Sequence, residues 1–166
     1  MGVAIVRGAL TDRRVRASFL RLLSENVLAS FATSDGRGNA HINTAYYAWS
    51  ADWSLFFYSY PESRHSRNVT RRSSMAVAIF DSHQRWGSPD RGVQLFGTCS
   101  EATGKWANLA AAVYSKRFPG FDRWRLRTER EEGSFRLRPY RFRPQRVKLF
   151  DERTLGGGRF VEVTIR

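Results

Sequence analysis

The chain has 166 residues, 42% of them hydrophobic and 14% aromatic, enough to bury the core of one domain and too apolar for a disordered chain. Its net charge of +13 comes almost wholly from arginine, since Lys105, Lys116 and Lys148 are the only lysines, and this favours anionic partners. A single cysteine, Cys99, excludes an internal disulfide or a cysteine-based metal cluster, and apolar runs such as Met75–Phe80 are too short to cross a bilayer.

The opening "MGVAIVRGAL" lacks the length and cleavage pattern of a signal peptide, and Val6 breaks the myristoylation pattern, so a soluble, cytoplasmic protein with no membrane partner is expected. Thr11 or Asp12 can cap a leading helix over residues 12–25, in which Val15, Phe19, Leu22 and Leu23 form an apolar stripe. The pattern then switches to alternation. "NVLASFAT" reads as a strand, "SDGRGN" as a tight reversal, and "AHINTAYYAW" as the second strand. The turn "SADW" leads into a third strand, "SLFFYSY". Pro61, Glu62 and Ser63 then open a short helix over Arg64–Arg72.

A fourth strand, "MAVAIFDS", is followed by the polar loop His83–Arg91 and a fifth strand, "GVQLFGTCSEA". "GKWANLAAAVYSKRFPG" predicts a helix stopped by Pro119 and Gly120, and "FDRWRLRTEREE" a very polar one. In the tail, "SFRLRPYRFRPQRVKLFDER" alternates apolar and basic residues, with Arg136 and Arg138 on one side and Phe135 and Leu137 on the other. "RFVEVTI" supplies a last strand. The sum is one domain over 1–166, mainly β with flanking helices (α+β): an antiparallel barrel of about seven strands in meander order, ending in a helical and extended basic tail over 104–166. Neither G-x-G-x-x-G nor a Walker pattern is present.

The segment Glu62–Arg72, "ESRHSRNVTRR", concentrates the anion-seeking chemistry. On a helix, Arg64, Arg67 or Asn68, and Arg71 share a face, behind a strand end carrying Tyr58 and Ser59 and a helix start carrying Ser63. Helix-start N–H groups, hydroxyls and arginines together make a phosphate cradle; a solvated basic helix would look the same. His41, His65 and His83 show no metal-ligand spacing, no nucleophile elbow is present, and no catalytic side-chain set emerges. Cys99, between Thr98 and Ser100 in a strand, reads as a small buried hydrophobe. The basic tail suits a half-buried strand with a solvated side better than a nucleic-acid groove, because its aromatics fall on the inward face. One of its arginines reaching an anionic ligand is the remaining reading.

"FYSYPESRHSRN" resembles the strand-loop-helix of the flavin-binding split-barrel family, typified by pyridoxamine 5′-phosphate oxidase. "VLASFATSDGRGNAHINTAYYAW" is similar to that family's first hairpin, and "MAVAIFD" and "GVQLFGTCSE" to its fourth and fifth strands, the latter with a Val-Gln-hydrophobic-x-Gly pattern. The resemblance covers about Val27–Glu101 and implies an antiparallel split β-barrel binding FMN, as a homodimer with the flavin at the interface. It places Tyr58 and Ser59 beside the flavin tail, and Ser63, Arg64 and His65 at the phosphate, with Arg67 and Asn68 nearby. Gln94 would approach the ring, and Asn43, Thr44 and Ala45 would flank it. His65 stands where the family has a lysine, and Asn43 about where the oxidases have an arginine, which points to a relative of the oxidase and away from pyridoxamine phosphate as substrate. The implied activity is oxidoreduction of a small molecule, with NAD(P)H or the substrate reducing the flavin. The alternatives are a deazaflavin-dependent reductase, a non-catalytic carrier of a flavin or heme-related ligand, and a nucleic-acid-binding barrel.

Overall fold

In a computed structural model the described residues are 4–165, so the first three residues of the opening decapeptide and Arg166 lie outside them. Strand β1 (Ala4–Arg7) precedes helix α1 (Arg13–Glu25), which is capped by Asp12: its carboxylate accepts from the N–H groups of Arg14 and Val15 at 2.8 and 3.1 Å. The stripe of Val15, Phe19, Leu22 and Leu23 is buried against the barrel. Strands β2 (Leu28–Ser34) and β3 (Ala40–Tyr46) form the first hairpin, closed by Asp35, whose carboxylate accepts from the N–H groups of Arg37 and Asn39.

The expected single strand over 40–49 is broken. Tyr46 faces out, but Tyr47 and Ala48 are both buried, so the alternation fails and a separate strand β4 (Ala48–Trp49) begins. Tyr47 causes the break: its ring is fully buried and its hydroxyl donates to the Leu23 carbonyl at 2.9 Å. β4 pairs with β5 (Leu55–Ser59) across a turn in which Trp53 has a positive φ of 66°.

Helix α2 (Arg64–Arg71) leads to strands β6 (Ser74–Phe80) and β7 (Arg91–Glu101), then helices α3 (Lys105–Arg117) and α4 (Phe121–Glu132). Strand β8 (Arg138–Asp151), the short helix α5 (Glu152–Leu155) and strand β9 (Arg159–Thr164) complete the chain. The sheet runs β1-β9-β8-β7-β6-β2-β3. This corrects the expected meander of about seven strands: among the described residues there are nine, and β1 joins β9 in parallel. β8 is long enough to take two partners on one edge, β5 along Arg138–Phe142 and β9 along Arg146–Leu149. Among the described residues no pairing joins β3 to β5, so the sheet stays open there and the architecture is an α+β split barrel. No helix among them is long and apolar enough to cross a membrane.

Phe19, Phe31, Tyr47, Phe57, Leu95 and Phe142 fill the barrel, while Phe56, Tyr114 and Phe121 join a second cluster where α3 and α4 cover β5. Cys99 is buried, and burial pushes its thiol up to about 12. Arg117 closes the end of α1. Its guanidinium lies over the rings of Tyr47 (4.5 Å) and Trp49 (4.4 Å) and donates to the carbonyl oxygens of Leu23 (2.8 Å) and Asn26 (2.6 Å). The longest ladder, β7–β8, slips register between Phe96 and Gly97, and Gly97 lies directly against the Arg143 carbonyl.

Candidate functional site

Ser59 ends β5 and is buried, and Ser63 caps α2 by accepting from the Ser66 N–H at 3.3 Å. The short loop between them brings their hydroxyls to 3.2 Å, and both meet His65: Nε2 is 2.6 Å from Ser59 Oγ and 3.1 Å from Ser63 Oγ. Ser63 Oγ also donates to Ser66 Oγ at 2.8 Å. Three hydroxyls and an imidazole thus surround the first turn of α2. From β3 the His41 ring lies parallel to that of His65, with centroids 6.0 Å apart and planes 4° apart.

Burial, and secondarily the neighbouring His41, holds the His65 pKa below its ordinary 6.5, so the ring is neutral at physiological pH. Because the folded pKa is the lower one, this residue's share of stability is complete above about pH 6.5 and is lost as pH falls through the folded value. A plot of urea midpoint against pH should therefore fall as the pH drops below about 6.5, and His65→Gln should flatten that limb. The separate loss below about pH 4, from carboxylates such as Asp35 and Asp52 whose pKa values are lowered, should stay in the variant.

The remaining expected residues separate by face. Arg64 and Arg67 are exposed, and the Arg64 Nη2 is 3.7 Å from an Asp35 carboxylate oxygen. Asn68, expected on the basic face, points inward instead: it is buried and donates to Thr33 Oγ1 at 3.0 Å, fastening α2 to β2. Asn43 and Ala45 follow His41 on the inner face of β3, opposite the buried Phe31 and Ala29, and the Asn43 Oδ1 is buried without a partner among the described residues. Thr44 and Gln94 occupy the other face. Thr44 opposes Ser30, Ser30 opposes Ala78, and Ala78 opposes Gln94, which forms one outward row across four strands.

Tyr58 leaves β5 on the side away from Ser59. It packs edge-on to Tyr114 at 4.8 Å and against Phe121 at 4.9 Å, and burial pushes its hydroxyl up to about 12. With Ala45, Tyr46, Trp124 and Leu137 it lines an apolar cavity of about 460 Å³. The structure therefore gathers Ser59, Ser63 and His65 tightly, sets Asn43 on the face of β3 that carries His41, places Ala45 with Tyr58 at the apolar cavity, and leaves Thr44 and Gln94 on the outer surface.

Three participants escaped the sequence reading: Ser66, His41 as a ring partner, and Arg138, which stands opposite Ser59 across the β5–β8 ladder. Only strand register shows the last, and no local motif encodes register. Neighbouring arginines just before and within β8 are engaged elsewhere. Arg136 pairs with Glu62, Arg141 with Asp52 (2.6 Å) over the Trp106 ring, and Arg146 with Glu162 (3.3 Å) over Phe96. Among the described residues no group of three or more His, Cys, Asp or Glu side chains could hold a metal ion.

The family described as pyridoxamine 5′-phosphate oxidase matches residues 16–150. No curated protein matches. Among solved structures, a heme binding protein from Mycobacterium smegmatis is 18% identical with a TM-score of 0.66, over 96% of this chain and 59% of that one. The heme storage protein HutZ from Vibrio cholerae is 14% identical with a TM-score of 0.62, over 79% of this chain and 90% of that one. A FAD-binding protein from Mesorhizobium loti is 16% identical with a TM-score of 0.60, over 80% and 89%.

Proposed function

The chain belongs to the pyridoxamine 5′-phosphate oxidase family, and on that footing we propose that it binds FMN, with the flavin phosphate at the start of α2, and acts as an oxidoreductase on a small molecule. The observation that carries this reading is the cluster of Ser59, Ser63, Ser66 and His65 around a helix N-terminus. Hydroxyls rotate to donate, and the first N–H groups of a helix face an anion with partial positive charge, so this donor set suits a phosphate monoester. The unpartnered Asn43 Oδ1 fits as well, as a buried acceptor in want of a ligand donor.

In this reading Ser59, Ser63 and His65 hold the phosphate, Arg64 and Arg67 add positive field from the exposed side of α2, and Asn43 and Ala45 position the tail. A bound flavin supplies the hydride and electron transfer, which accounts for the lack of a protein nucleophile. Thr44 and Gln94 face outward on a surface of small residues, Ser30, Ala32, Ala76 and Ala78, which suits close approach by a second copy in a homodimer. The reduced cofactor is regenerated by a nicotinamide or by the substrate.

The stacked pair His41 and His65 favours one second reading, a carrier of heme or a related ligand held by imidazole. The nucleic-acid reading rests on the net charge alone.

The purified protein should bind added FMN and keep its visible bands through desalting. Ser59→Ala removes one charge-assisted hydrogen bond and should weaken FMN by roughly ten-fold or more in a fluorescence titration. A Soret band on adding hemin, with no FMN uptake, would transfer the assignment to the heme reading. Uptake of neither would overturn both.

A further inference from the structure

A phosphate dianion needs fixed positive charge, and the cradle's own members supply little. His65 is neutral at physiological pH, Arg64 stands near Asp35, and Arg67 lies on the exposed side of α2, where water screens its charge. The β5–β8 ladder adds a cation that the helix does not. Arg138 is the first residue of β8 and directly opposes Ser59. Along the same ladder Phe57 opposes Tyr140, and those rings stack with centroids 5.4 Å apart and planes 17° apart, so opposed residues here share a face. Alternation puts the Ser59–Arg138 pair on that same face, and a guanidinium on a three-methylene stem spans the distance to the hydroxyl cluster.

Arg138 is also available. It is exposed and, among the described residues, makes no ion pair or side-chain hydrogen bond. Arg136, two residues earlier, makes the contrast: it is held by Glu62 and lies over the Tyr60 ring.

We propose that Arg138 is the main charge partner of the phosphate at this cradle and sets the preference for a flavin monophosphate over riboflavin. The inference rests on the reading of the cradle as a flavin-phosphate site. A planar fork opposite Ser59 would take two phosphate oxygens at once, which suits a terminal phosphate better than the bridged diphosphate of a dinucleotide. The site would thus replace the family's helix-borne lysine with an arginine from the strand beside it.

Titrating apo-protein with FMN and, separately, with riboflavin tests this, because riboflavin carries the same ring and no phosphate. Wild type should prefer FMN, and Arg138→Ala should weaken FMN by roughly ten- to a hundred-fold while leaving riboflavin unchanged. Arg138→Lys should restore part of the preference, and Arg136→Ala should leave it intact. A structural role for Arg138 would move both ligands together. If wild type prefers FMN and Arg138→Ala keeps the full preference, the assignment of Arg138 falls and the cradle stands. If wild type binds FMN and riboflavin equally, or neither, the phosphate cradle itself is wrong and this inference goes with it.

Discussion

Replacing Arg117 with alanine is expected to lower unfolding free energy by about 3–4 kcal/mol, measured as a drop in urea midpoint at unchanged slope. One guanidinium does three jobs here. It donates to a carbonyl in the last turn of α1 at Leu23 and to that of Asn26, and it lies over the rings of Tyr47 and Trp49, where the chain breaks out of β3 into β4. Alanine leaves the Asn26 carbonyl oxygen without its charged donor, worth about 1.5–3 kcal/mol, leaves the Leu23 carbonyl with only the Tyr47 hydroxyl, a smaller loss of about 0.5–1.5 kcal/mol, and removes a ring contact worth about 0.5–2 kcal/mol. These losses overlap, since the same relaxation serves all three, so the total is set below their sum. The shift in Tm should be on the order of 10 °C. Burial lowers the Arg117 pKa, yet a guanidinium stays charged throughout the working range, so the loss should not vary with pH. Lysine should recover less than half, because an ammonium can neither stack as a plane nor fork to two acceptors. A loss under about 1 kcal/mol would show that solvent satisfies those carbonyls.

Gly97→Ala should be at least as damaging, by about 3 kcal/mol or more, and is expected to show first as a loss of soluble, folded protein. A Cβ at this position would sit 2.0 Å from the Arg143 carbonyl oxygen, 2.9 Å from its carbon and 3.0 Å from the Pro144 Cα. All three are backbone atoms, so no rotamer change relieves the clash, and the β7–β8 ladder must part at the register slip. Gly36→Ala is the matched control: nothing lies within 4 Å of its added Cβ, and the change should stay within about 0.5 kcal/mol. Equal melting temperatures for the two variants would show that the bulge can absorb a methyl group. This supplies a physical reason for the glycine that closes the Val-Gln-Leu-Phe-Gly stretch from Val93 to Gly97: two strands approach too closely for a side chain.

Much of the fold was legible because local signals agreed with it. Asp12 caps α1, Asp35 turns the first hairpin, and the apolar stripe of α1 is the buried one, all within a few residues of sequence. What stayed hidden depended on contacts distant in sequence. The strand over 40–49 breaks because Tyr47 reaches Leu23 across the core, and β1 finds β9 in parallel, a pairing no turn signal announces. The cradle was legible as a cluster of residue types but not as an arrangement. Asn68 shares the helix with Arg64, and only the packing of α2 against β2 shows it pointing to Thr33. The alternation of β3 likewise separates Thr44 from Asn43 and Ala45, although the three are adjacent in sequence.

The central place of β8 has a consequence for the order in which the molecule can be assembled. This one strand is the hydrogen-bond partner of β5, β7 and β9, and it follows all but the last of them in the chain. While a ribosome is still making α3 and α4, the emerging polypeptide carries β5 with one edge open, including Leu55, Phe56 and Phe57, all fully buried in the finished fold. An unpaired apolar edge recruits other chains, so the interval before β8 appears is when aggregation competes most strongly with folding. The segment made in that interval is suited to it: α4 is rich in charge, and its Arg125–Glu129 and Arg127–Glu131 pairs form between neighbouring turns without help from the barrel. Closure then waits on pairings of long sequence separation, which makes it a slow, late event that nascent-chain arrest before and after β8 would resolve in time.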